Sequence, residues 1–167
     1  VKCFQLTFFE GTKKFYKIIK ELNFDLSKVQ ILLIRNEPPF NQQYINTTFI
    51  LEHIAKKVKI INHPKAIREV PEKLFSIKLI KYMPSTLISE NIDEIKSFFK
   101  KHKKVIVKPI NGYSGNEVIL LKTFNIKIIS KYLKKHNHVI FQKFLPQISK
   151  GDRRVFIING KIKGSIS

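Results

Sequence analysis

A strand, a helix and a second strand follow one another between residues 30 and 61, and this order restricts the possible folds more than any other feature of the sequence. The apolar runs 30–34 (QILLI) and 58–61 (VKII) have the length of buried strands, and residues 41–57 between them repeat apolar side chains at helical spacing. Two strands joined by a helix usually lie parallel in one sheet. The sequence therefore predicts an N-terminal parallel α/β domain.

A helix is also predicted over residues 12–22, after a short apolar run at 2–9 that is typical of a strand. The apolar residues of this segment recur at the three- and four-residue intervals of a helix face, at Phe15, Ile18, Ile19 and Leu22.

The second part of the chain carries the signals of antiparallel pairing. Strands are predicted at 86–88, 105–110, 117–121, 138–144, 153–158 and 161–167, and helices from Pro71, from Asn91 and from Phe124. Asn159-Gly160, between the last two strands, is a strong hairpin signal. The change of pattern predicts two domains, at 1–67 and 68–167, the second with an α+β fold and an antiparallel sheet.

The net charge of +20 raises the question of an anionic partner. A basic balance of this size is typical of proteins that bind nucleic acid or anionic membranes. However, the cations are 28 Lys and only 4 Arg, in a sequence rich in Ile, Phe and Asn, and all of these except Arg have AT-rich codons. Codon bias explains such a composition, and Arg is the residue that specific nucleic-acid contacts favour. We expect no nucleic-acid partner, with a basic binding module as the alternative.

The composition also bears on location. No apolar run approaches the roughly 18–20 residues of a membrane span, so no membrane association is expected. A single cysteine, Cys3, excludes an internal disulfide within the sequence and fits a reducing cytoplasm. The sequence starts at Val1 and its last residues lie in a predicted strand, from which we expect a piece of a longer protein.

The segment from Lys108 to Gly115 (KPINGYSG) is the first candidate for chemistry. A lysine at the end of a strand supplies a point charge, and glycines allow backbone N–H groups to approach a phosphate closely. The segment is not a Walker A loop, because no Gly-Lys-Ser/Thr follows, and it is not a dinucleotide-binding loop, because a strand follows. By spacing alone, a β-hairpin with a glycine turn is the more common explanation of such a segment.

Three further segments carry polar residues next to predicted elements. Lys73 lies at the start of a helix, residues 141–146 (FQKFLP) end a strand with a proline, and residues 151–154 (GDRR) contain half of the arginines. A solvated helix end, an edge strand and a surface ion pair are the ordinary interpretations of these three segments. The five histidines show no metal-ligand spacing, and no metal site is predicted within the sequence.

The order of these segments resembles the bacterial glutathione synthetase family of ATP-grasp ligases. The resemblance extends from about Phe15 to Ser167. It is most specific at LIRNEPPF (33–40), YINTTFILE (44–52), NHPKAIREVPEKLF (62–75) and LPQISKGDRRV (145–155).

The resemblance implies an N-terminal parallel α/β (pre-ATP-grasp) domain followed by an ATP-grasp domain whose C-terminal part lies outside the sequence. It implies an enzyme that uses ATP and Mg²⁺ (or Mn²⁺) to phosphorylate the cysteinyl carboxylate of γ-glutamylcysteine. The amine of glycine then attacks the acyl phosphate. It also implies a cytoplasmic homo-oligomer, expected to be a tetramer, and metal ligands located beyond Ser167.

The resemblance assigns roles to matching residues. Lys73 and Lys108 would hold ATP phosphates, and Gly112 and Gly115 lie in the loop that closes over them. The adenine would be lined by Gln142, Phe144 and Leu145, largely through their backbone. Asp152 would lie on the nucleotide side, Arg154 would face the phosphate or the acyl phosphate as the catalytic residue, and Arg35 and Arg68 are the candidates for substrate binding.

Three residues depart from the family pattern. Asn111 stands where the family usually has Asp, Ser114 replaces a loop glycine, and Lys143 replaces an Asn. A related alternative is an ATP-grasp ligase that adds glutamate to a protein, because it would share Lys73 and Lys108 but would not need the RNEPPF segment.

Overall fold

The computed structural model describes residues 1–11, 15–136 and 138–167. Two compact units divide the chain, Val1–Glu72 and Lys73–Ser167. In chain order the elements are β1 (Lys2–Phe8), β2 (Tyr16–Asn23), β3 (Ile31–Leu33), α1 (Gln42–Glu52), β4 (Lys59–Ile61), α2 (Pro64–Glu69), α3 (Glu72–Phe75), β5 (Thr86–Ile88), α4 (Ile92–His102), β6 (Val105–Pro109), β7 (Ile119–Leu121), α5 (Ile126–His136), β8 (Val139–Lys143), β9 (Arg154–Ile158) and β10 (Lys161–Ile166), with short 3-10 helices at Leu26–Lys28, Ser76–Tyr82 and Pro146–Lys150.

The first unit contains the predicted parallel α/β arrangement. Strands β3 and β4 pair in parallel, with Leu33 opposite Ile61, and α1 connects them. Asn41 begins the helix, since its side chain accepts a hydrogen bond from the amide of Tyr44. A small core forms beneath it from the buried residues Leu51, Val58 and Ile60. The mixed α/β fold class is confirmed.

The helix predicted over residues 12–22 is wrong. The described part of this segment is strand β2, which pairs antiparallel with β1 from Lys2 opposite Asn23 to Phe8 opposite Tyr16. Residues 12–14 lie outside the described residues. The side chains of Ile18 and Ile19 are both half exposed, so a helix at this position would have no buried apolar face to stabilise it. β-branched residues favour strands, and pairing with β1 decides the outcome.

The second unit has a four-stranded sheet in the order β5-β8-β6-β7, and all its neighbouring strands are antiparallel. Helices α4 and α5 pack on one face of this sheet and enclose its core. The buried core residues are Ile95, Phe99, Val105, Val107, Ile129, Val139 and Phe141. This architecture agrees with the predicted antiparallel sheet.

Helix α4 forms where its local signals predict it. The Asn91 side chain accepts hydrogen bonds from the amides of Asp93 and Glu94, which caps the first turn. Acidic residues lie in the first turn and lysines in the last, as the helix dipole favours. Ile95 and Phe99, four residues apart, are buried against the sheet.

The other face of the sheet carries polar side chains. Because side chains alternate along a strand, Lys108 lies on the face opposite to that of Val107. Gln142 lies on the same face, since Phe141 points into the core. Thr86 pairs directly with Gln142 and joins them there. This face, which we call the polar face, positions the candidate site.

The chain ends in a separate two-stranded sheet formed by β9 and β10. Asn159 and Gly160 have φ angles of 50° and 73°, the positive values that a two-residue hairpin turn of this type requires. The predicted hairpin is confirmed. The described part of the chain contains no helix long and apolar enough to cross a membrane.

Candidate nucleotide site

The candidate site is centred on the loop between β6 and β7, which begins directly after Lys108 and Pro109. The loop turns back through Ser114 and Gly115, whose φ angles are 52° and 73°. A glycine adopts such angles without steric cost, and Gly115 has open space around its Cα. The amide of Asn116 donates to the carbonyl of Tyr113 at 2.9 Å, which closes the turn.

Lys73 holds the start of this loop. Its Nζ donates to the carbonyl oxygen of Pro109 at 2.9 Å and also to the carbonyl oxygen of Gly112. Because Pro109 follows Lys108 directly, the two predicted phosphate-binding lysines belong to one region of the second unit. Helix α3 thus brings Lys73 to the segment that sequence order separates from it by more than thirty residues.

Gly112 must be a glycine for steric reasons. A Cβ at this position would lie 2.6 Å from Cγ of Pro109 and 3.3 Å from Nζ of Lys73. The first distance is too short for carbon atoms in contact. The close approach of the lysine to the loop therefore depends on this glycine.

Lys108 belongs to a chain of hydrogen bonds across the polar face. Its Nζ donates to Oε1 of Gln142 at 2.9 Å. Nε2 of Gln142 donates to Oγ1 of Thr86 at 2.8 Å. The Thr86 hydroxyl in turn donates to the carbonyl oxygen of Pro84 at 2.7 Å. A carbonyl only accepts, so the single hydroxyl hydrogen of Thr86 is committed to Pro84.

This arrangement fixes the orientation of the Gln142 amide. Thr86 can only accept from Gln142, so the NH₂ group points toward Thr86 and the carbonyl oxygen points toward Lys108. Thr86 was not among the residues singled out from the sequence. The signal that could have found it is strand pairing, because Thr86 lies directly opposite Gln142.

The other residues assigned to the adenine lie just beyond β8. The amide of Phe144 donates to the carbonyl oxygen of Lys104 at 3.1 Å, and Leu145 precedes a short 3-10 helix with its side chain half exposed. Lys143 between Gln142 and Phe144 donates its amide to the carbonyl of Ser85 at 2.9 Å. These contacts hold the segment beside β5 and β6.

Asp152 and Arg154 lie on a different element. Both are exposed, Asp152 before strand β9 and Arg154 at its first position. Strands β9 and β10 form their own sheet, separate from the sheet that carries Lys108 and Gln142. Their assigned roles stay predictions.

Arg35 belongs to the first unit and follows strand β3. The parallel pairing of Leu33 with Ile61 places Arg35 and His63 beyond the same carboxyl edge of the sheet. Ligands of open α/β sheets bind beyond this edge. Arg35 is exposed there.

Arg68 holds helix α2 against helix α1. Its guanidinium forms an ion pair with the carboxylate of Glu52 and donates to Oγ1 of Thr48 at 3.1 Å. It also lies 3.9 Å from the ring centroid of Phe49. The side chain is only 15% exposed, and the hydrogen bond from Arg68 holds the pKa of Glu52 below its ordinary value. These contacts favour a bracing role for Arg68.

Replacing Arg68 with methionine is expected to lower the melting temperature at pH 7 by about 5 °C. The lowered pKa means that this pair stabilises the fold above pH 4.5, and that the stabilisation is lost as the pH falls through the lowered pKa. The difference between wild type and variant should therefore shrink below pH 4.5. Thermal unfolding followed by circular dichroism at pH 7 and at pH 3 measures it.

Lys65→Met is the control, because Lys65 pairs with Glu69 at 3.6 Å on the surface. Equal stability of wild type and Arg68→Met at pH 7 would contradict the bracing role.

The described residues contain no group of three or more His, Cys, Asp and Glu side chains that could hold a metal ion. No described residue is assigned as a magnesium ligand. What the described site offers is two lysine ammonium groups, an oriented amide and a glycine turn, which together suit the oxygens of a polyphosphate.

Comparison with known families gives two matches that together cover nearly the whole chain. Residues 72–166 match the model of the prokaryotic glutathione synthetase ATP-grasp domain. Residues 1–68 match that of the prokaryotic glutathione synthetase N-terminal domain.

Curated relatives of the chain are glutathione synthetases. It is 34% identical over 157 residues to the glutathione synthetase of Buchnera aphidicola, a match that covers 91% of this chain and 49% of that protein. It is 33% identical over 153 residues to the glutathione synthetase of Escherichia coli O127:H6, covering 89% and 48% respectively. The chain thus spans about half the length of the curated relatives it matches.

Solved structures agree on the fold. A D-cycloserine synthetase superposes with a TM-score of 0.68 at 15% identity, over 85% of this chain and 53% of that one. D-alanyl-alanine synthetase A from Vibrio cholerae superposes with a TM-score of 0.54 at 16% identity, over 80% and 43%. At these identities the likeness concerns the fold alone.

Proposed function

The chain belongs to the prokaryotic glutathione synthetase family, and on this premise we propose that the intact protein is an ATP-dependent ligase that joins γ-glutamylcysteine to glycine. The observation that carries the proposal is the convergence of Lys73 on the loop that follows Lys108. Both matched family domains support it. The cytoplasmic location and the homo-oligomer stay predictions.

The proposed reaction has two steps. A carboxylate oxygen of γ-glutamylcysteine attacks the γ-phosphorus of ATP, and ADP leaves with the electrons of the broken bond. The glycine nitrogen then attacks the acyl carbon, phosphate leaves, and the nitrogen loses its proton as the amide forms. Both steps develop negative charge on oxygen, which positioned cations stabilise.

The chain's own residues would supply part of this stabilisation. We propose that Lys73 and Lys108 bind phosphate oxygens and that Gln142, oriented by Thr86, holds Lys108 in position. Gly112 and Gly115 would let the loop backbone approach the phosphates. Magnesium, when bound, would neutralise phosphate charge, and its ligands are not assigned to described residues.

The remaining assigned residues complete the proposal. Phe144 and Leu145 would line the adenine, Asp152 would lie toward the nucleotide, and Arg154 would contact the phosphate or the acyl phosphate. Arg35 would bind a substrate carboxylate at the carboxyl edge of β3 and β4. We propose that Arg68 supports this region through Glu52 instead of contacting substrate.

The test is ADP formation by the intact gene product. We expect ADP only when γ-glutamylcysteine, glycine, ATP and Mg²⁺ are all present, with glutathione in equal amount. Leaving out glycine or γ-glutamylcysteine in turn provides the controls. ADP formed with glutamate and a protein acceptor would instead indicate a protein-modifying ligase. Absence of ADP, together with DNA binding that has a steep salt dependence, would indicate the basic binding module.

A further inference from the structure

The loop between β6 and β7, residues 110–118, which we call the glycine loop, is attached near its end to helix α5 through Glu117. The hydroxyl of Tyr132 donates to the backbone carbonyl oxygen of Glu117. Nζ of Lys135 donates to Oε1 of its carboxylate. Nε2 of His136 lies 3.6 Å from the other carboxylate oxygen. Three side chains near the C-terminal end of α5 thus contact this one residue of the loop.

Glu117 has a backbone conformation that needs support. Its φ angle is 59°, a value that non-glycine residues adopt at a steric cost. Such a residue persists when its surroundings hold it in place, and it often lies at a functional segment. The contacts from Tyr132 and Lys135 hold both its backbone and its side chain.

The charges suit this attachment at neutral pH. The hydrogen bond from Lys135 lowers the pKa of Glu117, so its side chain is a carboxylate. Burial, together with the charge of Glu117, raises the pKa of Tyr132 to about 12, so its hydroxyl keeps the proton that it donates. The ring of His136 packs on Tyr132, with centroids 4.5 Å apart.

The opposite end of the loop is held by Lys73, through the carbonyls of Pro109 and Gly112. Residues 113–116 lie between the two attachments. A loop held at both ends can move only in the middle. A surface ion pair alone contributes little, but here it acts with a hydrogen bond to the backbone of a residue at positive φ.

We infer that Glu117 is a positioning residue, which fixes the exit of the glycine loop to α5. The end of the loop then stays in place when residues 113–116 approach the nucleotide. The inference rests on the proposed function for the presence of the nucleotide. The attachment itself is a property of the chain and can be measured without ATP.

The first experiment measures amide hydrogen exchange by NMR. Asn116 and Val118 report on the loop, because their amides donate to Tyr113 at 2.9 Å and to Gly115 at 3.2 Å. Glu117→Asn is the informative variant, since asparagine tolerates positive φ but its shorter side chain ends before Lys135. We expect exchange at both amides to become about five- to tenfold faster, with no change at the core amides of Val107 and Phe141.

Two further variants separate side-chain anchoring from other effects. Glu117→Gln keeps a hydrogen-bond acceptor for Lys135 and should change exchange less than about twofold. Lys134→Met removes an exposed lysine of the same helix turn and should change nothing. The inference would be overturned if the amides of Glu117→Asn exchanged at the wild-type rate. Equal acceleration of exchange in the loop and in the core would also overturn it.

The second experiment measures ATP binding to the intact protein by calorimetry, with Mg²⁺ present. Glu117→Asn should weaken ATP binding about fivefold, and the exchanged pair Glu117→Lys with Lys135→Glu should recover most of the affinity. Unchanged affinity in a variant with a loosened loop would overturn the positioning role. If wild type binds no ATP, the proposed function fails, and the exchange data still decide whether Glu117 anchors the loop.

Discussion

Replacing Lys108 with methionine should weaken ATP binding by about 100-fold. Methionine keeps the length and much of the volume of the side chain but removes its charge. Lys108 lies on the polar face, where its ammonium donates to Gln142 at 2.9 Å. A phosphate oxygen at this position would lose a charged hydrogen-bond donor, and Gln142 would lose the group it is oriented toward. Calorimetric titration of the intact protein with ATP and Mg²⁺ measures the effect.

Lys104→Met is the matched control for this variant. Lys104 is an exposed lysine directly before β6, so its replacement lowers the net charge equally. If affinity depended on the overall charge of +20, both variants would lose it to the same small extent. Equal ATP affinities in the two variants would contradict the assignment of Lys108. Lys73→Met should resemble Lys108→Met, because Lys73 is assigned to the same phosphates.

Phe141→Ala should destabilise the second unit by about 3–5 kcal/mol. The Phe141 side chain is 0% exposed and lies at the centre of the core between the sheet and helices α4 and α5. Its removal leaves a cavity that the surrounding side chains, which are held by four strands and two helices, fill only in part. Urea unfolding followed by tyrosine fluorescence and circular dichroism gives the free energy of unfolding.

Phe156→Ala is the same substitution at an exposed site and serves as the control. Phe156 lies on strand β9 with 46% of its surface exposed. Its replacement should change the free energy of unfolding by less than about 1 kcal/mol. Comparable losses in both variants would show that the core described for the second unit does not form in solution.

Local signals were sufficient for several elements of the fold. Asn91, the acidic residues after it and the lysines at its end predicted helix α4, because capping and dipole interactions act within one turn. Asn159-Gly160 predicted the last hairpin for the same reason. Strand β2 was missed because its apolar spacing fits a helix. Pairing with β1 is a contact between segments that spacing within one segment does not report.

The residues of the candidate site were likewise predictable from the sequence only in part. The resemblance identified Lys73 and Lys108 from segments of the sequence, and the structure shows how the first reaches the loop after the second. Thr86 and Glu117 could not be found from their own neighbours in sequence. Thr86 depends on strand register, and Glu117 on the approach of α5 to the loop exit. Both are products of tertiary packing.

The contacts of Lys73 also bear on the energetics of nucleotide binding. Its ammonium already donates to the carbonyl oxygens of Pro109 and Gly112, and a phosphate oxygen would need donors of the same group. In the proposed ligase a phosphate oxygen would share this ammonium with the loop backbone, so ATP binding and the position of the loop entrance would be linked. A substitution that weakens the bonds from Lys73 to the loop would therefore change the ATP affinity. By the same linkage, bound ATP would change the mobility of the loop entrance by an equal free energy.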